Sequence, residues 1–204
     1  MAATTARGRP RSFDLDAALD ASLELFWRDG YRATSTRELE SRLGVNQSSL
    51  YHAFGSKAGL LTAALDRYEQ RVDAALVTPL ESSPLGLEAL ARFFADLHDW
   101  ISADGKRGCL VINLAAEDDG EDAELTQRTR RYQQRVRSAL ARALQRAADL
   151  GEIAADTVEQ RTELLFGLVL GLNLAVRGGA TPTEVAVLLA GVEQQIEAWR
   201  LPTD

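Results

Sequence analysis

The chain has 204 residues, of which 23 are Lys or Arg and 30 are Asp or Glu, giving a formal net charge of -7. That balance excludes an indiscriminately basic surface, the usual footprint of proteins that coat nucleic acid or anionic membranes, and leaves room only for a local basic patch. With 46% hydrophobic and 26% charged residues the chain reads as globular, and one cysteine, Cys109, with two histidines, His52 and His98, supplies neither an intrachain disulfide nor a Cys/His metal cage. No metal and no cofactor are therefore expected. Ser12-Phe13-Asp14 interrupts any apolar run after the N-terminal arginines, so no secretion signal is expected. The most apolar stretch, 164–176, is 13 residues long and contains Asn173, short of the ~20 needed to span a bilayer. A cytoplasmic protein without membrane association is the expectation.

Pro and Gly fall between long segments, no alternating run of strand length stands outside the helical patterns, and only four isoleucines occur, so an all-α fold is expected. Residues 1–12 carry Arg7, Arg9 and Arg11 and read as a flexible basic arm. Leu15, Ala18, Leu19, Ser22, Leu25 and Phe26 recur at i, i+3, i+4 spacing behind the N-cap candidate Asp14, predicting a helix over 15–29 that stops at Gly30. Ser35 precedes Glu38 by the capping-box spacing, so a second helix starts near Thr36 and ends at Gly44. Asn46 is a further N-cap, and the run from Gln47 to Phe54 closes at Gly55. Two short helices joined by Leu43-Gly44-Val45 make a helix-turn-helix. Ser56 caps a fourth helix expected to run through Leu60, Leu61, Ala64, Leu65, Tyr68 and Val72 until Pro79, before a Pro/Ser/Gly-rich break over 78–86. Five more helices are expected at about 86–102, 106–117, 122–150, 157–177 and 183–199. The chain then divides into the arm (1–12), a helix-turn-helix domain (13–57) and a larger helical domain (58–204).

The residues around the helix-turn-helix are more specific than its length. Gly30-Tyr31, Thr34-Ser35-Thr36, Leu39, Gly44-Val45, Ser49-Leu50-Tyr51, Phe54 and Ser56-Lys57 follow in one order with tight spacing. Over 13–61 this pattern resembles the DNA-binding domain of the TetR family of transcriptional repressors. The resemblance implies a nine-helix fold with the DNA-binding domain first, an effector-binding and dimerisation domain behind it, and a palindromic double-stranded operator as partner. It also implies DNA contacts at Thr36, Arg37, Gln47, Ser48, Ser49, Tyr51, His52 and Lys57. One departure is Ala53, where many members carry His or another polar residue before the Phe. The Tyr-x-Ala-Phe-Gly form, with Gly108-Cys109-Leu110, Asn113 and Glu117 further on, is similar to a subgroup that includes repressors responding to electrophiles and oxidants through a cysteine.

Physical chemistry points the same way. Gln47, Ser48 and Ser49 open the third helix, so their side chains and free N–H groups sit at its positive end, where a recognition helix meets a major groove. Gln can pair bidentately with adenine, and Ser with any base edge. Tyr51 and His52 lie one turn on, placed for phosphate contact; alternatively Tyr51 closes a small core with Phe54 and Leu39, and His52 is an ordinary surface histidine. Thr36 and Arg37 could clamp a flanking phosphate, and Lys57 could add a point charge. The arm could lie in a minor groove or remain a solvated tail. Charge is split accordingly: residues 1–57 hold 8 basic and 7 acidic residues, against 15 and 23 over 58–204. The arginine row Arg128, Arg130, Arg131, Arg135, Arg137, Arg142 and Arg146 reads as a solvated face balancing the acidic turn from Glu117 to Glu124.

Leu164, Leu165, Phe166, Leu168, Val169, Leu170, Leu172, Leu174 and Val176 surround the eighth helix on nearly all sides, with Gly167 and Gly171 on one face. The ninth offers Val185, Leu188, Leu189, Val192, Ile196 and Trp199. A four-helix interface between two protomers would bury both, and an intrachain core is the alternative. For a small-molecule effector the candidates are Phe94, Leu97, His98 and Ile101 on the fifth helix, with Cys109, Asn113, Tyr132, Phe166 and Asn173. Cys109, near a helix start beside Lys106 and Arg107, is either a reactive thiol or a small apolar filler. The expected function is a homodimeric DNA-binding regulator, a repressor released by a small molecule through the fourth helix. Redox or electrophile sensing at Cys109 is one alternative, and a dimeric interaction module with an unused helix-turn-helix is another. An all-helical enzyme is a third, although no nucleophile elbow, P-loop or metal-ligand pair is present.

Overall fold

The computed structural model describes residues 14–120 and 122–202, with 103–106 described by backbone alone. The basic arm over 1–12 lies outside the described residues. Among those described, every regular element is helical.

Three short helices come first: α1 (Leu15–Asp29), α2 (Thr36–Leu43) and α3 (Gln47–Phe54). Each begins where a side-chain oxygen satisfies exposed backbone N–H groups. Asp14 accepts from Asp16 and Ala17, Ser35 from Glu38, and Asn46 from Ser49. At Ser35 the structure gives the serine half of the expected capping box, while the Glu38 carboxylate lies 3.9 Å from Arg28. A full box forms instead at Thr181 and Glu184. Gly44, at φ 66° and ψ 25°, is the left-handed residue that turns the chain from α2 to α3. Leu23, Phe26, Leu39, Leu50, Leu60 and Leu65, all within 2% exposure, form the core of this region.

The fourth helix does not stop at Pro79. It runs as Lys57–Val72, widens into a π turn over Asp73–Val77, and resumes as Thr78–Ser82, one continuous rod labelled α4. A proline within an α-helix loses one hydrogen bond and presses its ring on the carbonyl four residues back. The wide turn immediately before it changes the hydrogen-bond register, and Pro79 then falls in the first turn of the resumed helix, where its missing N–H costs little.

Behind α4 come α5 (Leu87–Lys106), α6 (Leu110–Glu117), α7 (Ala123–Asp149), α8 (Val158–Arg177) and α9 (Pro182–Glu197). α5 is central and packs against the end of α4 and against α7, α8 and α9. Its backbone continues through the expected stop at Asp104-Gly105, and α6 starts four residues later than expected, at Leu110. The break sits at Gly108, φ 67°, whose missing side chain lets the turn close on α8; a β-carbon there would stand 2.9 Å from the Asn173 carbonyl oxygen. That constraint is tertiary, so helix periodicity carries no trace of it.

The arginine row of α7 does not balance the Glu117–Glu124 turn. Arg128 meets Asp66 at 2.7 Å and Glu69 at 2.8 Å, Arg135 meets Asp73 at 2.7 Å, Arg142 pairs with Glu81, and Arg146 donates to the Leu80 carbonyl, so these four fasten α7 along α4, while Arg137 pairs with Glu163 of α8. The exposed pairs at Arg135 and Arg142 contribute at most ~1 kcal/mol each. Their effect is to fix the register of two rods.

Candidate DNA interface, effector cavity and dimer face

The start of α3 is locked by its neighbours. Asn46 Oδ1 accepts from the Ser49 N–H at 2.8 Å and from the Ser48 hydroxyl at 2.7 Å, and Glu40 of α2 accepts from the Gln47 N–H. The sequence left these N–H groups free for DNA; the structure uses two of them internally, so readout falls to side chains. Leu50 is buried beneath, and Gln47, Ser48, Tyr51 and His52 are exposed, with Ser49 half-buried. Tyr51 is 37% exposed and does not close the core. Its hydroxyl lies 3.4 Å from Thr36 Oγ1, joining α3 to the first turn of α2, where Arg37 is exposed. The hydrogen bonds to Thr36 and Gln47 hold the Tyr51 phenol below its ordinary range.

Lys57 is anchored rather than freely displayed. Its ammonium donates to the Tyr31 carbonyl at 2.6 Å and sits 4.4 Å from the centroid of the Tyr31 ring, and burial pushes its pKa down. An ammonium has three donors, so a phosphate can still be met from this fixed position.

An apolar cavity lies between α4, α5, α6, α7 and α8. Of the expected effector residues, Leu97, Cys109, Tyr132, Phe166 and Asn173 line it; Phe94, His98, Ile101 and Asn113 do not. The face of α5 that reaches it carries Phe93, Leu97 and Trp100. Phe94 and Ile101 are fully buried on another side of the same helix, because α5 is covered around most of its circumference and two apolar stripes compete in its sequence. His98 is half-buried at the helix edge, 3.1 Å from Asp99. Asn113 instead donates to the Arg107 carbonyl at 2.8 Å, tying down the turn before α6.

Cys109 is the N-cap residue of α6, 3% exposed, with its sulfur 3.4 Å from the Tyr132 hydroxyl. The Tyr68 hydroxyl accepts from Leu110 N–H at 3.2 Å and from Trp100 Nε1 at 3.4 Å. Burial, with the neighbouring Cys109 second, pushes both phenols well above their ordinary range. The cavity offers about 20 Å³ to the centre of a water-sized sphere, room for roughly one water. Any larger guest must part its walls.

The expected dimer residues divide in two. Leu172, Val185, Val192 and Ile196 are within 3% exposure inside the chain's own core, and Leu168, Leu189 and Trp199 are half-buried. Leu164 and Leu188 face outward at 47% and 45%, beside Gly167 and Gly171, whose outer faces meet nothing within 4 Å. Leu174 at 72% and Val187 at 68% belong to the same outer face, and the expected set omitted both. Apolar residues on every side of α8 therefore serve two surfaces, one closed and one open.

Two family models match the chain: bacterial regulatory proteins of the tetR family over residues 18–64, and a tetracyclin repressor-like C-terminal domain over 86–192. The chain belongs to the TetR family. It is 35% identical to the transcriptional repressor ComR of Escherichia coli over 181 residues, covering 86% of this chain and 85% of that protein. Among solved structures it is similar to the TetR family regulator CifR, a cysteine mutant complexed with 26-bp double-strand operator DNA, at TM-score 0.83 and 28% identity over 94% of this chain and all of that one. A TetR regulator from Chloroflexus aurantiacus shares the fold at TM-score 0.80 and 20% identity, over 92% and 96% of the two chains. The protein is thus a DNA-binding transcriptional repressor of TetR type. Among its described residues no helix is long and apolar enough to cross a membrane.

Within this TetR fold a second bridge joins the two regions beside α4. Trp27 Nε1 of α1 donates to the Gly108 carbonyl at 3.0 Å, next to the cavity residue Cys109, while Arg107 pairs with Glu24 at 2.6 Å. At the far end of α6, Glu117 accepts from the Tyr31 N–H at 3.2 Å and lies against Gly30, and Arg32 pairs with Asp119. A β-carbon at Gly30, φ 85°, would stand 2.7 Å from the Glu117 carboxylate. Sequence reasoning placed Glu117 in a motif without a role, and no local signal marks Trp27 as a linker.

Proposed function

We propose that the protein acts as a homodimer that occupies a palindromic operator and leaves it when a small molecule enters the cavity. The observation that carries this reading is the start of α3, where Gln47, Ser48, Tyr51 and His52 stand outward on a helix fixed by Asn46, Glu40 and Leu50. Thr36, Arg37 and the anchored Lys57 flank that row as phosphate contacts, with Ser49 at its edge, and the relative CifR, bound to operator DNA, supports the same use of the fold. Residues 13–57 form the reading domain in this account and 58–204 the effector and dimer domain, with α4 packed on α1.

One helix-turn-helix reads only a few base pairs, so two copies are needed for a selective site. The outer face of Leu164, Gly167, Gly171, Leu174, Val187 and Leu188 joins them in this reading. The effector meets Leu97, Cys109, Tyr132, Phe166 and Asn173 and must displace the wall. Part of that wall is Val72, Leu76 and Val77 at the π turn of α4, so displacement moves the helix whose first residue is Lys57. The cavity is regulatory rather than catalytic, and the protein works in the cytoplasm. Capture of an electrophile by Cys109 is the weaker reading, because the thiol is buried in the cavity wall.

Selection of bound fragments from random-sequence DNA tests the proposal. Enrichment of a palindrome whose half-sites lie about one helical turn or a multiple apart is expected. Recovery of no common sequence would remove it.

A further inference from the structure

Asn173, 1% exposed on α8, is among the residues that line the cavity. Its Nδ2 donates to the Val169 carbonyl at 2.8 Å, and its Oδ1 has no hydrogen-bond partner among the described residues. The two amide atoms cannot exchange places, because a carbonyl can meet only the donor end. An acceptor is therefore left unpaired and buried on a residue of the cavity wall, where an unpaired polar group is unfavourable. Two of the other polar groups of the wall are engaged, the Tyr68 hydroxyl by Trp100 and Leu110 and the Tyr132 hydroxyl by Cys109, while the Gln133 amide is only half-buried. None of the described residues lining the cavity is an Asp, Glu, Lys, Arg or His. A charged guest would lose its hydration there and find no counter-charge.

We propose that the effector is an uncharged, mostly apolar molecule carrying one hydroxyl or N–H donor, which it gives to Asn173 Oδ1. This rests on the reading of the cavity as the effector site. The apolar body is held by Phe93, Leu97, Trp100, Val136 and Phe166 as the wall opens, and Asn173 fixes which end of the guest faces α8. A buried acceptor of this kind selects against the same skeleton without its donor, since that analogue leaves Oδ1 unpaired.

Three probes of one shape test the proposal on the full chain at neutral pH, with binding followed by calorimetry: para-ethylphenol, para-ethyltoluene and the para-ethylbenzoate anion. The phenol is expected to bind about fivefold more tightly than the hydrocarbon, a ratio near the net worth of one hydrogen bond, and the benzoate not at all at the same concentrations. In Asn173→Leu the preference should vanish or reverse. Tightest binding by the benzoate would overturn the inference, as would a phenol preference that survives in Asn173→Leu. Equal or tighter binding of para-ethyltoluene to the wild type overturns the donor assignment while leaving the effector cavity standing. Failure of all three to bind overturns both. Should Asn173→Leu not fold, the wild-type ratio decides alone.

Discussion

The start of α3 and the outer stripe of α8 are both exposed, yet the first is polar and locked by its own turn, while the second is apolar and left largely uncovered by the described residues. Asn46, Glu40 and Leu50 fix α3 without help from outside. Leu174 and Val187 stand about 70% open beside glycines with free space around them. Polar groups can wait in water for DNA at little cost, whereas an apolar stripe gains only when it is covered. The reading surface is finished within one chain, and the pairing surface is not.

The largest expected effect breaks the second region and spares the first. Leu174→Glu combined with Leu188→Glu should convert the dimer to a monomer in sedimentation, leave helical content unchanged, and weaken binding to a palindrome by ~100-fold or more, because two linked contacts become one. Leu50→Ala should do the opposite. It removes the residue beneath the reading surface and should destabilise the α1–α4 core by ~2–5 kcal/mol in denaturant titration, without changing the chain's association. Gln47→Ala should keep both stability and dimer, and lose ~1–3 kcal/mol of discrimination at one base position in each half-site, read by competition between operator variants.

Smaller effects probe the bridges between the regions. Trp27→Phe keeps an aromatic ring but removes the donor to the Gly108 carbonyl. Operator affinity without effector should change by less than about twofold, while the drop in affinity on saturating the cavity should shrink by about fivefold, within the usual range of coupling changes. Arg142→Gln, at the exposed end of the α4–α7 fastening, should cost under ~1 kcal/mol in the same denaturant titration.

The contrast also explains what the sequence could reveal. In the reading region the controlling signals are local: Asp14, Ser35 and Asn46 cap their helices, Gly44 turns the chain, and the bounds of α1–α3 follow from neighbours a few residues apart. Farther along, the decisive facts are tertiary. Periodicity shows that α5 is apolar on Phe93, Phe94, Leu97 and Ile101, but only packing decides that Phe93 and Leu97 face the cavity while Phe94 and Ile101 do not. An eighth helix apolar all round announces two buried surfaces without saying which leucine belongs to which. The passage of α4 through Pro79 was hidden for another reason: a π turn has no sequence signature as plain as the proline it accommodates. Likewise Lys57 looked like a free cation, since its anchor is a backbone carbonyl at Tyr31, 26 residues away.

The central claim is that two copies of a finished reader are joined by an unfinished apolar face. Its most direct test is the mass of the complex formed on a selected palindrome and on a fragment holding one half-site, with affinities measured for each. Two 22.3-kDa chains on the palindrome are predicted, with the half-site fragment bound ~100-fold more weakly or worse. A single chain bound to the half-site as tightly as to the palindrome would contradict the account.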